Sequence, residues 1–233
     1  MNRKPRLLIV EDEPAIRTGL VDVFVFHGYQ VDAAVDGREG LQKALSGRYD
    51  LILLDVMLPH LNGFEVCEQI RREDRGQPII MLTAKSADED IIHGLSLGAD
   101  DYVAKPFSVA QLVLRVQAVL RRCGAGAEQP HVLTLGGEVE IDPRNLSGSR
   151  LGTPLAFTRR EMEMLLYLHA NRDHAVPREE LLAKVWGYGR NLDIETRTVD
   201  IHVAKLRRKI EPVPAEPRYL VTVRGAGYRL LAE

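Results

Sequence analysis

Asp50 to Val66 reads DLILLDVMLPHLNGFEV: a short leucine-rich run, Asp50 to Val56, that passes through a proline-containing turn into a helical stretch beginning near Phe64. The same unit recurs on both sides. Runs of the strand type also occur at Arg6 to Val10, Gln30 to Val35, Pro78 to Leu82 and Asp101 to Ala104, and helical stretches begin near Pro14, Gly37, Asp88 and Ser108. Pro14 suits a first-turn position and Ser108 an N-cap. Five strand-helix alternations predict an α/β fold with a doubly wound, five-stranded parallel sheet, whose ligands bind at the carboxyl ends of the strands.

The pattern changes after the last of these helices, which ends at Arg121-Arg122. Residues 123–130 (CGAGAEQP) are small, Gly-rich and nearly uncharged, which predicts a short flexible linker. From His131 to Phe157 brief strands alternate with Gly-Gly, Asp-Pro and Ser-Gly turns, as in an antiparallel sheet. Helical periodicity returns over Arg160 to Asn171, Arg178 to Trp186 and Thr196 to Ile210. A closing hairpin runs Tyr219 to Arg224, turns at Gly225-Ala226-Gly227, and returns through Tyr228 to Leu231. The expected organisation is therefore a domain over 1–122, a linker over 123–130 and an α+β domain over 131–233, a comfortable division of 233 residues.

Composition narrows the function. With 45% hydrophobic and 27% charged residues the chain is ordinary globular protein. The apolar stretch Leu7 to Val10 is too short for a signal-peptide core, and no run approaches the roughly 20 residues of a membrane span, so a cytoplasmic protein without membrane contact is expected. Cys67 and Cys123 lack metal-ligand spacing and read as reduced thiols. The net charge of −2 is spread over two nearly balanced halves. Nucleic-acid binding must therefore be argued from where cations cluster.

Four strand ends carry groups suited to phosphoryl chemistry: Glu11-Asp12, Asp55, Thr83 and Lys105-Pro106. Parallel strands bring these ends to one edge. Crowded carboxylates repel one another, and a hard divalent cation with oxygen ligands, Mg²⁺, relieves this and shields an incoming phosphate. A lysine and a hydroxyl stabilise charge on a transferring phosphoryl group. The combination suggests a carboxylate nucleophile that becomes an acyl phosphate. Singly, each residue has a plainer reading, as a turn former, a strand residue or a surface cation; it is their joint placement that carries the argument.

Val10-Glu11-Asp12-Glu13-Pro14, Leu54 to Pro59 with Asn62-Gly63, Leu82-Thr83-Ala84, and Gly98 to Tyr102 with Lys105-Pro106-Phe107 together resemble the receiver domain of bacterial two-component response regulators, over residues 5–122. The resemblance implies that Asp55 is phosphorylated by a sensor histidine kinase, and that Glu11, Asp12, Asp55 and the backbone carbonyl of Met57 hold Mg²⁺. It implies that Thr83 and Tyr102 form a switch pair which remodels the face of the fourth helix, fifth strand and fifth helix, and that Lys105-Pro106 is a cis peptide. Met57 and Lys85 would flank the path of attacking water. Family dimers pair charges across the switch face: Asp101 and Arg115 keep one such pair, whereas Ile91 and Gln111 stand where charges are usual, so the homodimer formed on phosphorylation would be weaker or differently balanced.

On a helical wheel, Thr196 to Ile210 places Val199, Val203, Leu206 and Ile210 in one core-facing arc. The opposite side carries Arg197, Ile201, Ala204, Lys205 and Arg208, with Asp200, His202, Arg207 and Lys209 on the flanks. Such a face suits a major groove, with cations meeting phosphates or guanine edges and apolar groups meeting thymine methyls. Phe157 to Glu161, Val176 to Leu182, Val185-Trp186-Gly187, Arg197 to Val203, Leu206 to Ile210 and Val223 to Arg229 resemble the winged-helix effector of the OmpR/PhoB family, over roughly 131–233. That resemblance implies a winged helix-turn-helix whose recognition helix contacts promoter DNA, in direct repeats, through Arg197, Thr198, Ile201, His202, Ala204, Lys205 and Arg208. Arg224 on the wing would reach a minor groove, the loop Gly187 to Glu195 would face RNA polymerase, and Trp186 would lie in the core. Two other readings compete. A phosphatase with an aspartyl nucleophile usually needs a second aspartate two residues on, where Met57 stands, so no enzyme is expected; a DNA binder with a degenerate receiver is opposed by the intact acidic set.

Overall fold

In the computed structural model the described residues are 3–47, 49–83, 94–95, 97–123, 132–187 and 197–231. The chain divides into two compact units, residues 1–124 and 125–233. The first contains β1 (Arg6–Val10), α1 (Pro14–Phe26), β2 (Gln30–Ala34), α2 (Gly37–Ala44), β3 (Leu51–Asp55), α3 (Gly63–Glu73), β4 (Ile79–Thr83), β5 (Asp101–Ala104) and α4 (Val109–Cys123). All neighbouring strands pair parallel, in the order β2-β1-β3-β4-β5. The central strands β3 and β4 are buried at every position, because helices cover both faces of the sheet.

Local chemistry sets the helix starts. Pro14 opens α1, and α3 begins with a capping box in which Asn62 and Glu65 satisfy one another's backbone N–H groups. Gly63 is required there by space: a Cβ would lie 2.0 Å from the carbonyl oxygen of Asp55. The helix expected from Asp88 lies mostly outside the described residues, with 94 and 95 helical at its end. Lys105-Pro106 is cis. Of the expected linker, Cys123 belongs to α4 and residues 124–130 lie outside the described residues.

The second unit is a winged helix. An antiparallel sheet of β6 (Leu133–Leu135), β7 (Val139–Asp142), β8 (Ser147–Arg150) and β9 (Thr153–Ala156) precedes α5 (Arg159–Ala170), α6 (Arg178–Leu181) and α7 (Arg197–Ile210). The closing hairpin pairs β10 (Leu220–Val223) with β11 (Gly227–Leu230). The helical segment expected over Arg178 to Trp186 is α-helical only to Leu181. Leu182–Trp186 is a π-helical turn, closed by the Gly187 N–H bonding to the Leu182 carbonyl. Trp186 is fully buried, as the sequence implies, in a core with Phe157, Leu165, Val199, Leu206 and Leu220.

Candidate functional site

Strand register assembles the acidic cluster. Val10 lies beside Leu54, Asp55 beside Leu82, and Thr83 beside Ala104, so the residues that end β1, β3, β4 and β5 share one edge. Glu11 and Asp55 are buried while Asp12 is exposed, and the three offer carboxylate oxygens within 4.8 Å of one another. Lys105 reaches in from the end of β5: its Nζ donates to Glu11 Oε2 and to Asp55 Oδ2, each at 2.7 Å. Asp55 Oδ1 accepts from the Met57 N–H at 3.2 Å. Burial raises the pKa of Glu11, and the Asp55 charge adds to this against the opposing bond from Lys105. Burial works against the charge on Lys105, but the hydrogen bonds to Asp55 and Glu11 override it and raise its pKa.

Three carboxylates around one ammonium leave the cluster short of positive charge, and an all-oxygen donor set with one exposed carboxylate suits a hard divalent cation. Thr83 is buried at its strand end, where its carbonyl accepts the Lys105 N–H at 2.6 Å, and Tyr102 is half-buried on β5. Sequence reasoning missed Arg17. From the first turns of α1 its Nη1 donates to the carbonyls of both Glu11 and Asp12 at 2.8 Å, which fixes the backbone that presents the two acids. A cation one helical turn after Pro14 was the available signal.

Asp101 and Arg115 meet within the chain. Asp101 is fully buried and Arg115 Nη1 lies 2.7 Å from its Oδ2, so a pair across a dimer would require an exchange of partners. Gln111 is exposed; Ile91, Lys85 and residues 188–195 of the loop expected to face RNA polymerase lie outside the described residues.

The recognition-helix expectation needs correction at three positions. Val199, Val203, Leu206 and Ile210 are buried as expected, but so are Thr198, His202 and Lys205. The buried arc is wider than the aliphatic stripe, and one of its polar members, Lys205, meets Glu161 from the capping box of α5. Glu161 is fully buried and lies 3.2 Å from Lys205 Nζ and 2.5 Å from Lys209 Nζ. Burial opposes its charge, yet these two ammonium groups prevail and lower its pKa to about 2. His202 packs edge-on against Trp186, with ring centroids 5.0 Å apart, and its Nδ1 lies 2.9 Å from the Thr198 carbonyl oxygen. Burial, with the Lys205 charge, lowers its pKa to about 3. Thr198, His202 and Lys205 thus lie on the buried side of α7 and not on its exposed face. Ala204, Arg208 and Arg224 are exposed, and Arg197 and Ile201 are partly so.

A parallel α/β unit with an acidic, lysine-bridged strand edge, followed by a winged helix with a basic outer face, defines the class: a receiver-like module joined to a winged-helix module. Residues 7–117 match the response regulator receiver domain, and residues 152–230 match the C-terminal domain of transcriptional regulatory proteins. Response regulator ArlR of Staphylococcus saprophyticus is 41% identical over 223 residues, 96% of this chain and 97% of that protein, and ArlR of Staphylococcus aureus is 40% identical over 96% and 98%. Among solved structures, a mutant of RitR superposes with a TM-score of 0.77 at 29% identity, covering 98% of this chain and 100% of that one. DrrB of Thermotoga maritima, described as an OmpR/PhoB homologue, gives 0.52 at 30% identity over 98% and 99%. The chain belongs to the OmpR/PhoB-type response regulators, with a receiver domain and a DNA-binding transcription-regulator domain.

Proposed function

We propose that Asp55 is the phosphoacceptor of a two-component phosphorelay and that its modification controls promoter binding. The Asp55 carboxylate attacks the phosphorus of a sensor kinase's phosphohistidine, an O–P bond forms as the N–P bond breaks, and the imidazole leaves. The observation that carries this reading is the Asp55 side chain at the end of β3, beside Glu11 and Asp12 oxygens and bonded by Lys105. Glu11, Asp12, Asp55 and the backbone carbonyl of Met57 would hold Mg²⁺, which when bound shields the negative charge of the incoming phosphoryl group. Lys105 already carries its charge between the two buried carboxylates and is placed to meet the phosphoryl oxygens. Thr83 and Tyr102 relay the change to the face of β5 and α4, where Asp101 and Arg115 exchange their internal pair for one across a homodimer. Met57 is 54% exposed and offers no acid or base, which favours a phosphoacceptor over a hydrolase that turns over.

Beside the cluster an apolar groove between α1 and the loop after β5, lined by Ile16, Leu20, Val23, Phe107 and Val109, supports docking of a protein partner that must bring its histidine to Asp55. In the second unit Arg197, Ile201, Ala204 and Arg208 face the major groove of promoter direct repeats and Arg224 a minor groove, and RNA polymerase is a further partner of this unit. No helix among the described residues is long and apolar enough to cross a membrane, in keeping with action in the cytoplasm. The test is donor treatment with acetyl phosphate and Mg²⁺, followed by mass spectrometry and footprinting on genomic promoter fragments. Wild type should gain one phosphoryl group on Asp55, a higher mass in solution and protected repeats about one helical turn apart; Asp55→Ala should gain none of these. Modification elsewhere, or protection indifferent to Asp55, refutes the proposal.

A further inference from the structure

The base of the wing is tied to the outer edge of α7 by side chains that the DNA face itself does not use. Tyr228, at the start of the return strand β11, is 4% exposed. Its backbone forms a two-bond bridge to Val176, ahead of α6, with N···O distances of 2.7 and 3.0 Å. Its hydroxyl donates to Asp200 Oδ1 of α7 at 2.5 Å, and the same oxygen accepts from Arg178 Nε of α6 at 2.7 Å. The Arg178 guanidinium also lies over the Tyr228 ring, 4.7 Å from its centroid. Three elements therefore converge on one phenol and one carboxylate. Gly227 makes the closeness possible: its φ is +125° and a Cβ would lie 2.0 Å from the Val176 carbonyl oxygen. The exposed Arg224 stands at the tip of this short hairpin, next to Val223, which pairs with Gly227.

The geometry points to Asp200 and Tyr228 as positioning residues for DNA recognition: the Asp200–Tyr228 bond sets the wing against α7, so that Arg224 and the outer face of α7 reach adjacent grooves together. The inference rests on the proposed DNA-binding role. A carboxylate accepting from both a phenol and a guanidinium fixes direction as well as distance, since charge-assisted bonds are short and strongly oriented. Two contacts on one rigid frame bind a duplex better than two on parts that move separately, because the ordering cost falls once for both. Losing the bond should therefore devalue Arg224 without removing it.

The experiment uses full-length protein with Tyr228→Phe, which keeps the ring, and Asp200→Asn, which keeps the shape at a partly exposed site; each is combined with Arg224→Ala. The probe is a duplex that wild type selects from a random-sequence pool. Arg224→Ala should weaken wild type about tenfold but either positioning variant less than about threefold. Hydrogen exchange at the Val176 and Tyr228 amides should quicken about tenfold in both positioning variants, with α5 unchanged. Equal cost of Arg224→Ala in every background, or unchanged exchange at the wing base, overturns the inference. If Tyr228→Phe fails to fold, Asp200→Asn decides alone. Should wild type select no duplex, the DNA-binding reading itself fails, whereas additivity in a chain that binds overturns this inference only.

Discussion

Glu161→Gln isolates the electrostatic lock beneath α7. Glutamine keeps the shape and an acceptor for the Thr158 N–H, but strips the charge that faces Lys205 and Lys209. The Glu161 pKa falls from 4.5 to about 2 on folding, which corresponds to about 3 kcal/mol of stability at neutral pH. Because the carboxylate is fully buried, solvent screening removes little of this. The folded pKa is the depressed one, so the contribution is fully present above pH 4.5 and is lost as pH falls toward 2. Trp186 is the only tryptophan of the chain and is buried in the second unit, so its fluorescence reports urea unfolding of that unit alone. Wild type should exceed Glu161→Gln by about 3 kcal/mol at pH 7 and by only about 1 kcal/mol near pH 3. A gap below about 0.5 kcal/mol at pH 7, or one that ignores pH, would sink the argument.

Two perturbations test neighbouring claims. The His202 pKa is depressed from 6.5 to about 3 by burial and by the Lys205 charge, with Arg160 adding and Glu161 opposing. Its stabilisation is therefore complete above pH 6.5 and drains away as pH falls toward 3. Wild type should lose about 3 kcal/mol more than His202→Gln between pH 7 and pH 4, by the same fluorescence assay; parallel losses would contradict it. Lys105→Met removes the cation 2.7 Å from both Glu11 and Asp55, so calorimetric titration should find Mg²⁺ bound about tenfold more tightly, while acetyl phosphate no longer labels Asp55. Weaker Mg²⁺ binding would show that Lys105 organises the ligands rather than competing with the ion.

The receiver half was legible because its information is local and repeated. Each strand is a short apolar run, each acidic or basic group of the candidate site sits at or just after a strand end, and parallel pairing brings such ends together whatever the details of packing. The Arg17 contacts were signalled only by a cation one turn after Pro14, because they depend on where one long side chain folds back against the loop ahead of its helix. The second half was legible in outline and misread in polarity. A wheel places Lys205 opposite the aliphatic stripe and His202 on its flank by angle alone, and it knows only the helix on which they stand. Lys205 is buried against Glu161, some forty positions earlier, whose charge it meets, and His202 is buried against Trp186. The same reasoning explains why Arg208 and Arg224 kept their expected exposure: no buried carboxylate faces them among the described residues. Outward cations on a winged helix thus gain meaning only after the inward ones are accounted for.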